Sequence, residues 1–205
     1  MLRTSSGSSL GGPGHRGLTL FALAAIVAAG AAIWYFQPGG AAEDSVDLSE
    51  LDGELNGSSC RRLAGISAKL AERELEPIPF LRALGLQVAG IRPPPRALGD
   101  LARGGRNRIP GRGFLARLDD GSSGQARHFA GIAVATTFFG GANPTRWISE
   151  NLRRDPAGSP DGLLTVEGIL FARLLTSGEL EPEESPKWLL DRLCRRNQGA
   201  GVPGP

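Results

Sequence analysis

Apolar and polar positions divide the chain into two unlike parts. Residues 17–37, GLTLFALAAIVAAGAAIWYFQ, run apolar without a single charged side chain. As one helix this segment reaches about 30 Å, the thickness of a bilayer's hydrocarbon core. From residue 58 onward, apolar positions recur at helical spacing, punctuated by proline and glycine. Leu63, Ile66, Leu70 and Ala71 share one face of a helix that Ser58 or Ser59 can cap and that runs to residue 74. Pro77 and Pro79 separate it from a second helix ending near Leu86. The stretch GIRPPPRALGDLARGGRNRIPGRG reads as loop with one short helical piece at 95–103, because Pro-Pro-Pro is extended and the Gly pairs interrupt regular structure.

Three later helices are expected to start alike. Asn143-Pro144, Ser159-Pro160 and Ser185-Pro186 each set a capping side chain before a proline at the first helical position, where a missing N–H costs nothing. Ser122 and Gln125 fit a capping box for a helix over 124–139, which Gly140-Gly141 should stop. That run is apolar almost all round, the mark of a helix covered on every side. The pattern predicts an all-α protein: an N-terminal transmembrane helix, then a compact bundle of about six to seven helices. The 123–140 helix should be central, wrapped by 144–154, 160–177 and 186–196. The expected organisation is a Ser/Gly-rich, disordered cytoplasmic tail (1–16), a transmembrane signal-anchor helix (17–37), an acidic linker (38–57), an exported helical domain (58–196) and a disordered tail (197–205).

Charge orients the anchor. Arg3, His15 and Arg16 precede the apolar run, whereas Glu43, Asp44, Asp47, Glu50, Asp52 and Glu54 follow it, with no Lys or Arg before Arg61. The positive flank stays inside. A single-pass protein of the bacterial inner membrane follows, N-terminus inside and C-terminal domain outside, with the lipid bilayer as partner through 17–37. Arg outnumbers Lys 21 to 2, a usage typical of GC-rich bacterial genomes. The alternative is secretion after signal cleavage near Ala42, since QPGGAAED offers Gly40 and Ala42 as small residues. The length of the apolar run and the bulky Trp34-Tyr35-Phe36 favour the uncleaved anchor. Export lets Cys60 and Cys194 pair. Such a disulfide would clasp the first and last helices and, in the chain-entropy model, contribute roughly 5 kcal/mol.

Residues 43–205 balance 21 basic against 21 acidic groups, which argues against nucleic acid as partner. The balance is uneven: 92–127 carries eight Arg and three Asp. Arg106, Arg108 and Arg112 in that loop are candidate binding residues, since guanidinium groups grip carboxylates and phosphates. Their partner would be an envelope protein or an anionic glycan. The alternative is a solvated loop that offsets the acidic linker.

The candidate chemistry lies in two apolar helices. At about 100° per residue, Leu163, Leu170 and Leu174 of the 160–177 helix fall together, and Glu167 falls between Leu174 and Phe171. A carboxylate there must find a donor or take up a proton. On the 124–139 helix, His128 shares a face with Ile132, Ala135 and Phe139, near Gln125, while Arg127 points with Val134 and Phe138. Glu167 is therefore expected to meet His128 or Arg127. That pair is either a structural lock or a general acid/base site, with Asp120 or Glu150 as a second carboxylate. Asp119 and Asp120 are also explained by favourable charge at a helix start. Motifs for nucleotide, zinc or serine-hydrolase chemistry are missing, so neither cofactor nor metal is implied. The function expected is a membrane-anchored binding or scaffolding module of the bacterial envelope, using the 92–117 loop or Trp147. The alternative is an envelope glycan hydrolase with Glu167 as general acid/base and His128 as its partner, although one carboxylate is thin support when most glycosidases use two.

Overall fold

The computed structural model describes residues 58–153 and 155–195. They form seven α-helices: α1 (Ser59–Ala71), α2 (Pro77–Ala89), α3 (Ala97–Ala102), α4 (Gln125–Phe138), α5 (Ala142–Ile148), α6 (Pro160–Ser177) and α7 (Ser185–Leu193). Ala116–Leu118 and Pro182–Glu184 are 3-10 turns, and a π-type turn, Ser149–Arg153, prolongs α5. Among the described residues there is no strand, only an isolated bridge between Phe114 and Cys194. The all-α class and the helical bundle are as expected. The apolar segment 17–37, the linker 38–57 and both tails lie outside the described residues. Among those described, no helix is long and apolar enough to cross a membrane.

Helix starts follow the expected chemistry in part. The Ser58 and Ser159 hydroxyls accept from the N–H groups of Arg61 and Gly162 at 3.4 and 3.0 Å, and Pro160 occupies the first turn. The other three starts differ. Helix α5 begins at Ala142, one residue before Asn143, and it is the Thr145 hydroxyl that bonds back to the Gly141 carbonyl. Helix α7 is continuous with the preceding 3-10 turn, so Ser185 is not a cap. Its buried hydroxyl meets the Pro182 carbonyl and the Ser67 hydroxyl of α1, each at 2.5 Å. The capping box proposed for α4 does not form. Ser122 accepts from the Gly124 N–H, and the Gln125 amide donates to Asp120. In each case a tertiary partner or a tighter local turn competed for the same side chain.

Helix α4 is the centre of the molecule, as its all-round apolarity required. It packs most extensively on α2 and α6. Two glycines set that packing. A Cβ on Gly85 of α2 would lie 3.0 Å from the Val134 side chain. One on Gly168 of α6 would lie 3.0 Å from Ile132 Cγ2 and 3.1 Å from the Phe129 carbonyl. Both flanking helices therefore approach α4 more closely than an ordinary side chain permits. Phe129, Phe171 and Trp188 join α4, α6 and α7 through ring centroids 5.1 to 6.4 Å apart.

The first and last of the described helices are locked together. Cys60 of α1 and Cys194, which caps α7, form the expected disulfide across a separation of 134 residues. A strap running from residue 105 to 118 ties into the same end. Its Leu115 N–H bonds to the Leu193 carbonyl, and its Gly113 carbonyl accepts from the Arg195 N–H, both at 2.8 Å.

Replacing Gly168 by Val should destabilise the protein by about 1–3 kcal/mol, the usual cost of overpacking. Helix propensity alone would improve, since glycine is the weaker helix former. Chemical denaturation measures the difference, and unchanged or greater stability would contradict the close approach of α4 and α6.

Candidate functional site

The buried face of α6 is not the one its largest aliphatic residues suggest. Leu164, Gly168, Phe171, Ala172 and Leu175 are buried, whereas Leu163, Leu170 and Leu174 are only partly so. The contact face is turned by roughly 100° from the expected stripe, toward the glycine that permits the closest packing. Glu167 consequently lies at the margin of the buried face rather than at its centre. It remains 8% exposed, and both of its oxygens are engaged. Arg192 Nε of α7 donates to Oε2 at 2.5 Å, and an Arg117 terminal nitrogen donates to Oε1 at 3.4 Å. The Arg192 guanidinium also sits 5.4 Å from the Trp188 ring centroid, and Arg117 reaches the Arg192 carbonyl. This is a clamp joining α6, α7 and the strap beside the disulfide.

The expected meeting of Glu167 with His128 or Arg127 therefore does not occur. His128 Nε2 lies 2.8 Å from Thr165 Oγ1. Residues two apart on a helix point about 200° away from each other, so the side of α6 that meets His128 is not the side that carries Glu167. Nor do the proposed second carboxylates join Glu167. Asp120 accepts from the Ser122 N–H and the Gln125 amide, and Glu150 pairs with Arg146 within one turn. Among the described residues, no group of three or more His, Cys, Asp or Glu side chains gathers to hold a metal.

His128 instead begins a buried polar chain whose other members carried no signal in the sequence. Thr165 Oγ1 lies 3.0 Å from Ser149 Oγ, which donates to Asp155 Oδ2 at 2.9 Å. Each hydroxyl has one proton. Ser149 gives its proton to Asp155, so Thr165 donates to Ser149, and His128 Nε2–H donates to Thr165. The chain links α4, α6 and the end of α5. On the other side of His128, burial tends to raise the Asp120 carboxyl. The Ser122 N–H and hydroxyl, the Gln125 amide and the nearby His128 outweigh it, holding that carboxyl below its usual range.

The face of α4 that carries His128 opens onto a cavity of about 340 Å³. Ile132, Ala135 and Phe139, grouped with His128 by helical spacing, all line it. So does Arg127, contrary to its expected grouping with Val134 and Phe138. The opposing walls come from Ile91, Leu98 and Leu101 around α3 and from Thr145 and Ile148 of α5. The lining is thus almost wholly apolar, with Arg127 and His128 as its charged or titratable members.

The Arg-rich loop forms part of this architecture. Asp100 of α3 is buried and accepts from Arg92 three times: from its backbone N–H at 3.1 Å, from Nε at 2.8 Å and from a terminal nitrogen at 2.7 Å. The Arg92 side chain, which outweighs the opposing effect of burial, holds the Asp100 carboxyl at about 2. This pair fixes the cavity wall formed by 91–104. Arg108 and Arg112 donate to the carbonyls of Leu86 and Gly121 at 3.2 and 2.8 Å, while Arg106 is exposed and its backbone N–H bonds to the Ala89 carbonyl. Trp147, one residue from Ile148, is 40% exposed.

No family model matches the chain, and no curated protein or solved structure is significantly similar to it.

Glu167→Gln should lower stability by about 1–3 kcal/mol, because two guanidinium groups lose their shared anion while remaining half solvated. Urea titration of Glu167→Gln and of the Arg192→Gln, Glu167→Gln pair measures it. The double variant should cost less than the sum of the singles.

Asp100→Asn should cost about 1 kcal/mol at neutral pH. The folded carboxyl titrates below its unfolded value, so its contribution is present above the unfolded range and disappears as pH falls through about 2. Unfolding curves of wild type and variant should therefore converge in strong acid; a gap that stays constant with pH would exclude the ion pair as its cause.

Proposed function

We propose that this chain is an exported binding module of the bacterial envelope, held at the membrane through residues 17–37, and that its binding site is the cavity between α3, α4 and α5. The observation that carries this is the cavity itself. It is apolar, falls within the size range of small-molecule sites, and has a few polar groups that could orient a ligand. The disulfide between Cys60 and Cys194 supports the exported location, since such bonds persist in oxidising compartments. The uncharged segment 17–37 and the acidic flank after it support the anchor and its orientation. Binding to an envelope protein or an anionic glycan would fall to Arg106 and to the rim beside Trp147, since Arg108 and Arg112 already serve backbone carbonyls. The glycan-hydrolase alternative has no comparable support. Both oxygens of Glu167 are engaged by arginines, and Asp120 is held by Gln125.

A neutral alkyl photoprobe, applied to the full-length protein in membrane vesicles and mapped by peptide mass spectrometry, tests the site. Labels should fall within 97–104 and 131–139. Gly131→Leu should suppress them. Position 131 faces the cavity, and a Cβ there meets only Ile91 Cδ1 at 3.7 Å, so the larger side chain fills space without disturbing the fold. Labelling confined to 17–37, or unaltered by Gly131→Leu in a normally folded variant, would refute a binding role for the cavity.

A further inference from the structure

The cavity has a polar corner, and its electrostatics are one-sided. Arg127 lines it, and its Nε–H is buried with no acceptor. Among the described residues Arg127 makes no ion pair, whereas Arg92, Arg117, Arg146, Arg192 and Arg195 each have a carboxylate partner. A buried donor with no acceptor costs free energy that a ligand can recover. The neighbouring His128 is oriented by Thr165 and stands near Asp120.

From this corner we infer the class of ligand: an amphipathic monoanion, a single alkyl or acyl chain ending in a carboxylate, with its chain along Leu98, Leu101, Ile132, Ala135 and Phe139 and its head on the Arg127 guanidinium. The inference rests on the binding function proposed above. Three observations select this class. The apolar lining suits an alkyl body and offers almost nothing to a sugar or peptide, whose hydroxyls and amides would be desolvated without partners. At ~30 Å³ for a water-sized group, 340 Å³ holds roughly ten such groups, the bulk of one medium-length chain and far less than a two-chain lipid. One guanidinium without an ion pair among the described residues matches one negative charge. A doubly charged phosphate monoester would bring a second negative charge into an almost wholly apolar lining with one guanidinium to meet it. Arg127 is suited to the task because its fork can hold both carboxylate oxygens.

Three alkyl photoprobes of equal length, ending in a carboxylate, an alcohol or a phosphate, separate the possibilities on the full-length protein in vesicles of zwitterionic lipid. The carboxylate should label the cavity peptides roughly five- to ten-fold more than the alcohol, the discrimination expected of one charge-assisted hydrogen-bonded pair. Arg127→Gln should abolish that preference while leaving labelling by the alcohol intact, and Arg127→Lys should retain part of it. Equal labelling by carboxylate and alcohol in the wild type, or a preference that survives Arg127→Gln, would overturn the head-group assignment while leaving the cavity a binding site. A preference for the phosphate would overturn the choice of a monoanion. If none of the three probes labels the cavity, or Gly131→Leu suppresses none of them, the binding function fails and the ligand class with it.

Discussion

The fold depends on enclosing one helix. Apart from its first turn, α4 has no polar face to offer to water, so every side of it must be covered. Two sides are covered by long partners, α2 with 13 residues and α6 with 18, and each presents a glycine at the crossing. A glycine inside a helix sacrifices about 1 kcal/mol of propensity relative to alanine. What it permits is backbone-level contact with Val134, Ile132 and Phe129, which brings whole turns of side chain into dispersion range. The third side has only α3 and α5 to cover it, six and seven residues long. At 1.5 Å per residue they are roughly half as long as α4, about 10 Å against 21 Å. They cannot seal that side, and the cavity is the space they leave.

The rest of the molecule holds this frame in place at a distance from the cavity. The disulfide, the Ser67–Ser185 hydrogen bond, the strap that pairs with the end of α7, and the clamp of Glu167 between Arg117 and Arg192 all lie along the α1/α7 side. None of these side chains lines the cavity. Covalent and ionic locks are thus concentrated where α1 and α7 meet. The cavity wall is held by the buried Asp100 carboxylate, which pairs with Arg92 and Arg103, by backbone bonds such as Arg106 N–H to the Ala89 carbonyl, and by packing. A wall secured in this way can adjust to a ligand at less cost than the locked side, because short helices with few partners open locally first.

Most helices were legible because their signals are local. Spacing, Ser-Pro starts and Gly stops marked α1, α4 and α6 to within a few residues, and the cysteines announced their own pairing. The grouping of His128 with Ile132, Ala135 and Phe139 also anticipated one wall of the cavity. The errors share a physical cause: the partner of a polar side chain is set by tertiary geometry, which periodicity does not encode. Glu167 was assigned to the core by its large aliphatic neighbours, but small residues such as Gly168 determine where two helices touch. Its true partners stand at positions 117 and 192, unrelated to it by any local spacing. Thr165, Ser149 and Asp155 are individually unremarkable in sequence and became a chain only when three elements met.

That polar chain has a direction, and the direction bears on the cavity's chemistry. Proton donation runs from His128 through Thr165 and Ser149 to the Asp155 carboxylate, so the histidine's Nε2–H is committed away from any ligand. Asp120 stands near the imidazole and is itself held by Ser122 and Gln125. The imidazole is therefore positioned through Nε2 by Thr165, and it contributes shape to the cavity corner more than an available Nε2–H donor. Arg127, its neighbour in sequence, has the opposite character: a buried Nε–H without an acceptor and a guanidinium without a carboxylate among the described residues. Arg92, Arg117 and Arg192 each hold an acid, whereas Arg127 meets an apolar wall with no ion pair among the described residues, an electrostatic demand that a ligand in the cavity can satisfy.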